Sequence, residues 1–326
     1  MSKKRTLKSI KMLFCLSLFL LCLPLNNNAS AYDESLLVPS EKIVIHSDDD
    51  FEALGLSGSG TEADPYLIEN LEIMPGTFYN NIEITNTTKH FIIRNCHLKN
   101  GFIGISIIDA AEGTVQILEN LIEGNQKYAI WLENTNDAYI AKNILGPDTL
   151  IGVRLENCSS VTITENICDD NGGAGIIYAN SDHITVTKNT VKNNEYIGIQ
   201  IKFSNDSLIA YNQIEYQTEY GIKADLGSCN NIIHHNNLIS NNVGTNEPQA
   251  YDGGFNNLWY DEATLEGNYW DDWNGEGNYS ILGTANCCDP YPLAKPYSTE
   301  EASFPYYLFI LTFIPLTYII QRKRKR

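Results

Sequence analysis

No Asp or Glu occurs before Asp33, and few bases occur after it. Ten of the 22 Lys and Arg lie in the first 31 and last five residues, so residues 32–321 hold 12 bases against 40 acids, a charge of −28. That surface repels nucleic acid and anionic polymers at long range. It suits neutral or cationic partners, divalent ions or a salty exterior. Methionine is scarce: beyond residue 31 only Met74 remains, which leaves little thioether for Cu(I). Helical periodicity over three turns is missing from residues 32–303, which argues against helical bundles and α/β folds. Six cysteines remain after residue 31 (Cys96, Cys158, Cys168, Cys229, Cys287 and Cys288), and no spacing among them resembles a metal knuckle. An exported chain permits disulfides, but four of these fall at different points of the repeat described below, so buried free thiols fit as well as bridges. The histidines, His46, His90, His97, His183, His234 and His235, do not align with one another; His234-His235 reads as a strand pair, one ring out and one in.

The only long apolar runs are at the ends. Lys3, Lys4, Arg5, Lys8 and Lys11 precede an apolar stretch, Met12 to Leu25, and Ala29-Ser30-Ala31 supplies small residues for cleavage, so residues 1–31 read as a secretory signal. Phe304 to Ile320 is uninterrupted by charge and is followed by Arg322 to Arg326. As a helix it would span roughly 26 Å, close to a bilayer core of about 30 Å. The basic tail, 322–326, would stay in the cytoplasm and leave the bulk of the chain outside. The expectation is an exported monomer at the cell surface, held in the cytoplasmic membrane by segment 304–321. The tail also resembles archaeal tripartite sorting signals, in which such a segment is cut off and replaced by a lipid. Sequons at Asn86, Asn157, Asn205 and Asn278 fit an exported protein.

What the chain has in abundance is a beat of asparagine. Asn70, Asn95, Asn120, Asn143, Asn166, Asn189, Asn212 and Asn236 recur at intervals of 25, 25, 23, 23, 23, 23 and 24 residues. A second marker keeps step with them: Gly104-Ile105, Ala129-Ile130, Gly152-Val153, Gly175-Ile176, Gly198-Ile199 and Gly221-Ile222. Each beat holds three short alternating, β-branched runs separated by Gly, Asn, Ser and Asp. Three strands per 23 residues describe one coil of a right-handed parallel β-helix, an all-β fold of about eight or nine coils in which stacking buries a continuous core. Seven steps of about 4.8 Å give a stack of roughly 34 Å. The asparagines read as a structural ladder: Asn is expected to take the left-handed conformation at a tight bend and to bond to the Asn above and below. The glycines are expected at a sharp return of the backbone. The layout is an N-terminal cap region at 32–69, repeats at 70–241 and an irregular cap and stalk at 242–303.

These features resemble the NosD-like right-handed β-helix proteins. The resemblance rests on Gly58-Ser59-Gly60-Thr61-Glu62-Ala63-Asp64-Pro65-Tyr66-Leu67-Ile68-Glu69-Asn70, on the two repeating markers, and on Gly267-Asn268-Tyr269-Trp270-Asp271-Asp272. It covers residues 42–296 and implies an exported protein with a carbohydrate-binding or sugar-hydrolase type of β-helix domain. It is specific for fold rather than activity. In related β-helix enzymes the substrate lies along the outer face of the first strand.

Alternation identifies that face. Ile105, Ile130, Val153, Ile176, Ile199 and Ile222 should point inward, as should the residues two further on. The outward columns are then Ser106, Trp131, Arg154, Ile177, Gln200, Lys223 and Ile108, Glu133, Glu156, Ala179, Lys202, Asp225. Trp131 is a platform for a sugar ring, with Arg154 one coil on. Glu133 and Glu156 would stack about 5 Å apart, a separation that suits a retaining glycosidase pair or, equally, a solvated charge ladder. Asp169-Asp170 lacks the companion motifs of a polygalacturonase site, and Asp169 shares its column with Lys192 and Glu215. Asp271, Asp272 and Asp289 form a candidate site for Ca²⁺; no other cofactor is implied. The reading is non-catalytic recognition of a polysaccharide or surface glycoprotein through Trp131, Glu133, Arg154 and Glu156, or an envelope structural role. Its alternatives are a polysaccharide lyase or glycoside hydrolase using Glu133 and Glu156, and a copper accessory protein.

Overall fold

The structure, a computed structural model, describes residues 32–298 apart from Val243 and Asn246. The expected signal, transmembrane segment and basic tail lie outside the described residues. Among those described, no helix is long and apolar enough to cross a membrane.

Three parallel sheets form a β-helix of about eight turns. The first sheet has nine strands, from Ile43–Ile45 to Ala250–Asp252; the second has eight, from Tyr66–Glu69 to Ile232–His234; the third has ten, from Val38–Ser40 to Tyr269–Trp270. One coil visits them in turn, as in Tyr128–Glu133, Tyr139–Ala141 and Ile144–Leu145. The apolar marker keeps register along the first sheet: Ile130 pairs with Val153, then Ile176, Ile199 and Ile222. These residues, and Leu132, Leu155, Tyr178, Ile201 and Ala224 two positions on, are fully buried. Each such aliphatic side chain contributes roughly 2 kcal/mol of burial, and no coil could collect it alone.

The coils extend beyond 70–241. The first sheet and third sheet begin before Asn70, and short helix α1 (Asp48–Ala53) lies at that end. Its Phe51 stacks on Tyr66 at 4.9 Å and meets Phe91 at 5.6 Å, so apolar rings close the core that the outermost coil would otherwise expose. At the other end, Leu258 bridges to Ile232, Leu282 to Tyr251 and Leu293 to Tyr269. The segment expected to be irregular therefore carries the strands onward.

The asparagine ladder is present, but its register differs from the sequence reading at the start. Asn120, Asn143, Asn166, Asn189, Asn212 and Asn236 are at most 1% exposed at the corner between the second and third sheets. Asn166 shows the pattern: its Nδ2 donates to Ile140 O, Thr164 O and Asn189 Oδ1 at 3.0 Å each, while its Oδ1 accepts from Asn143 N and Nδ2 at 2.9 Å. The ladder runs one rung past Asn236, to Asn268 at 2.9 Å. Asn70 and Asn95 are not rungs. They pair with each other at 2.8 Å, and the second coil's rung is Cys96, whose N donates to Asn120 Oδ1 and whose thiol reaches Ile68 O and Arg94 O. The left-handed bend also lies one residue earlier than the rung. Glu119, Lys142, Glu165, Lys188, Tyr211 and His235 have φ between 54° and 63°, whereas Asn70 and Asn95 take positive φ themselves. Rung asparagines are thus selected for amide chemistry, not for conformational tolerance.

The glycine column is likewise selected for room. Gly175 has no positive φ, but a Cβ there would lie 2.4 Å from Val191 Cγ1 and 2.9 Å from Gly198 O.

Two further ladders occupy the other corners. Asn171 Nδ2 donates to Asn194 Oδ1 (2.8 Å), Asn194 N to Gln217 Oε1 (3.1 Å), Gln217 N to Asn241 Oδ1 (3.2 Å) and Asn241 Nδ2 to Gln249 Oε1 (3.0 Å). At the corner between first and second sheets, Ser207 N donates to Asn231 Oδ1 (3.0 Å) and Asn231 Nδ2 to Asn257 Oδ1 (2.9 Å). The six cysteines are free, with Cys96, Cys158 and Cys168 buried.

Candidate carbohydrate face

The outer face of the first sheet carries the residues that alternation selected. Trp131 is the lateral neighbour of Arg154, and Glu133 of Glu156. Strand geometry alone places each pair one step apart, about 4.8 Å. Trp131 is half-buried and meets the Tyr128 ring edge-on at 5.9 Å. The Lys127 ammonium lies 4.7 Å from the Tyr128 ring centre, 5.5 Å from Trp131 and 5.9 Å from Phe102. A cation over ring faces favours this cluster and orients the indole.

The two glutamates differ. Glu156 Oε2 pairs with Arg154, and its Oε1 accepts from Asn180 Nδ2 at 3.0 Å. Both oxygens therefore accept from neighbouring side chains. The Glu133 carboxylate has no hydrogen-bond or ion-pair partner among the described residues. In-register stacking is thus present, but Glu156 is arranged as a fixed acceptor rather than as a proton donor.

Not every outward position is open. Ser106, Ile177, Ala179 and Gln200 point away from the core yet are at most 7% exposed. Ile177 is covered by Ile151, Ala174 and Ile197, which line the near edge of the sheet. An apolar floor therefore separates the Trp131 cluster from a second one. There, Gln200 Nε2 donates to Asp225 Oδ2 at 2.7 Å, Lys223 pairs with Asp225 at 3.4 Å and lies 5.5 Å from the Tyr251 ring, and Tyr220 meets Tyr251 at 5.6 Å. Trp131 and Lys223 are four strands apart, or about 19 Å. Sequence reasoning missed Lys127, Tyr128, Tyr220 and Tyr251. Tyr128 and Tyr220 stand two residues before the Ile130 and Ile222 markers, so aligning that column would have revealed them.

The residues proposed for calcium are not brought together. Asp271 and Asp272 converge on Gln249 Nε2 at 2.8 and 2.7 Å, Asp271 also accepts from Ser240, and Tyr279 Oη donates to Asp272. Asp289 is fully buried elsewhere, accepting from Asn268 N at 2.7 Å, Trp270 Nε1 at 2.9 Å and Tyr291 N at 3.0 Å. Burial raises its pKa above the ordinary carboxylate value despite those donors. All three carboxylates terminate ladders or cap their neighbours. Among the described residues no three His, Cys, Asp or Glu side chains form a metal-holding group. Asp169 pairs with Lys192 at 3.2 Å, in line with alternating surface charge.

The histidine pair departs from its expected geometry. His235 sits at the left-handed bend, φ 54°, not in a strand. Both rings therefore lie on one side of the chain, 8% and 6% exposed, with centres 4.8 Å apart and Nδ1 atoms 2.5 Å apart. His235 Nε2 lies 2.8 Å from Glu266 Oε2. Tyr211 and Tyr297 pack on His235 at 5.1 and 5.5 Å.

The fold and this face define a parallel β-helix with a long lateral surface. The chain belongs to the NosD family, described as periplasmic copper-binding protein, which matches residues 63–275; membership agrees with export. No curated protein matches the sequence. Among solved structures, it is similar to the periplasmic alginate epimerase AlgG (15% identity, 64% of this chain and 60% of that chain, TM-score 0.42). It is also similar to DFA-IIIase from Arthrobacter chlorophenolicus A6 in complex with DFA-III (13%, 74% and 62%, 0.44) and to the A-module of mannuronan C-5 epimerase AlgE6 from Azotobacter vinelandii (16%, 69% and 62%, 0.48). The chain thus spans about 60% of the length of the first of these. The likeness is one of right-handed β-helix fold alone.

Proposed function

We propose that this protein recognises a polysaccharide, or the glycan of a surface glycoprotein, along the outer face of the first sheet, without turning it over. The observation that carries the reading is Trp131: a large indole left facing solvent, oriented by Tyr128 and Lys127, with Arg154 beside it. Such a side chain offers an apolar ring face together with charged donors, the combination a pyranose requires. The outward columns from Trp131 to Asp225 carry three bases (Arg154, Lys202, Lys223) and three acids (Glu133, Glu156, Asp225). This face is therefore neutral within a domain of −28, which favours uncharged sugars. Ligand binding occurs outside the cytoplasmic membrane, where the C-terminal segment holds the chain.

A glycan array and a reducing-sugar release assay test this together. Trp131→Ala should weaken the best array ligand at least about tenfold, roughly 1.4 kcal/mol, and no sugar should be released. Release abolished by both Glu133→Gln and Glu156→Gln would instead establish the lyase or hydrolase alternative. Binding indifferent to Trp131→Ala would remove the ligand from this face.

A further inference from the structure

Trp131 heads a column that ends in another aromatic ring. Arg154, Ile177, Gln200, Lys223 and Tyr251 follow it as lateral neighbours, strand by strand. Trp131 and Tyr251 are therefore five steps apart, or about 24 Å. The two ends are built alike. At one, the Tyr128 ring meets Trp131 at 5.9 Å and the Lys127 ammonium lies 5.5 Å from the indole. At the other, the Tyr220 ring meets Tyr251 at 5.6 Å and the Lys223 ammonium lies 5.5 Å from the Tyr251 ring. All four rings are partly exposed. The ground between them is different. Ile151, Ala174, Ile177 and Ile197 pack on one another there. Every residue of the middle strand, Ala174–Ala179, is buried, and none is charged. A sugar chain crossing this floor meets apolar surface and no charge on that strand to desolvate.

We infer that the ligand is an extended chain of neutral, equatorially linked pyranoses, bound along the helix axis at two subsites. One subsite is Trp131 with Tyr128 and Lys127; the other is Tyr251 with Tyr220 and Lys223. The inference rests on the glycan reading of this face and adds to it a second subsite and a chain length. The step between strands, about 4.8 Å, is close to the length of one pyranose in an extended chain, so the two subsites together take roughly five sugars. Equatorial 1,4-linkages keep such a chain straight and flat, with apolar C–H faces above and below, whereas axial linkages curl it off a straight floor. The aromatic ends take those C–H faces, and the apolar floor takes the middle. Of the bases along the column, Arg154 pairs with Glu156 and Lys223 with Asp225 at 3.4 Å, so neither is left for an anionic sugar. Contact at one subsite holds the rest of the chain at high effective concentration near the other. A single subsite at Trp131 gives no such dependence on length.

The test is calorimetric titration of the protein with cello-, manno- and N-acetylated chito-oligosaccharides, each from disaccharide to hexasaccharide. In the series that binds, trisaccharides should fill the subsites separately. The hexasaccharide should bridge them with one ligand per chain and bind at least about tenfold more tightly. Tyr251→Ala and Trp131→Ala should each return the hexasaccharide to trisaccharide affinity. Ile177→Lys, which raises a long side chain midway along the floor, should do the same while leaving trisaccharide binding unchanged. Circular dichroism checks the fold of each variant; Tyr251 is partly exposed, so its truncation spares the core should Ile177→Lys fail to fold. A hexasaccharide that binds no better than the trisaccharide, or a gain that survives Tyr251→Ala, overturns the second subsite and leaves recognition at Trp131 in place. Binding by none of the three series overturns the inference too, and recognition at this face then stands or falls on the array ligand and its loss in Trp131→Ala.

Discussion

The corner between the second and third sheets and the outer face of the first sheet are built from the same repeat, yet they differ in one respect. The corner repeats its chemistry: from Asn120 to Asn268 each rung donates to the next in the same way. The face does not repeat: successive strands present Trp131, Arg154, Ile177, Gln200 and Lys223. Identity between coils is what stacking needs, because a buried amide must find its partner at every step. A ligand, in contrast, is distinguished by chemistry that varies along its length. The unvarying beat within this chain therefore marks the scaffold, and its interruptions mark the surface that can discriminate.

Substitution in the middle of the ladder should cost most. Asn166→Ala removes the acceptor for Asn143 N and Nδ2 and the donor to Ile140 O and Thr164 O. A loss of at least about 3 kcal/mol is expected in urea denaturation. Asn166→Cys should cost less, since Cys96 already serves as a rung with its thiol on two carbonyls. If Asn166→Ala proves as mild as a surface change, the ladder is ornament and the contrast with the face fails. Trp131→Ala, by the same comparison, should alter stability by under about 1 kcal/mol while abolishing most glycan binding.

The two ends of the coil sharpen the contrast through pH. Burial holds Asp289 above the ordinary carboxylate value, so its contribution is present below about pH 3.9 and is lost as pH rises through the folded-state value. Burial also pushes Asp48 upward, but hydrogen bonds from Thr88 and Thr87 outweigh it and leave the pKa lowered. Its contribution is present above about pH 3.9 and is lost as pH falls through the folded value. Denaturation midpoints between pH 2 and 7 should therefore respond in opposite senses to Asp289→Asn and Asp48→Asn, the smallest effects expected here. Equal responses would mean that the two carboxylates see similar surroundings.

The fold was legible because burial and hydrogen bonding impose period on sequence. The inward columns follow directly from Ile130, Val153 and Ile176, and the outward pairs Trp131–Arg154 and Glu133–Glu156 follow from the same alternation. What escaped was set by side-chain reach rather than by period. Nothing in the spacing shows that Arg154 and Asn180 occupy both oxygens of Glu156, or that Lys127 sits among three aromatic rings. The rung at Cys96 was hidden because a thiol stands where an amide was sought. His235 was misplaced because a bend one residue before Asn236 turns its side chain off the strand.

All three ladders run in one direction, and all three reach an aspartate. Asn268 donates to Asp289, Gln249 to Asp271 and Asp272, and Asn257 to Asp252 at 2.9 Å. An amide relays a hydrogen bond because it both accepts and donates. Each of these carboxyl groups accepts the last hydrogen bond of its ladder and passes none on. The ladders thus have polarity and a stop signal. Where each ladder ends inside the fold is written in the valence of its final side chain.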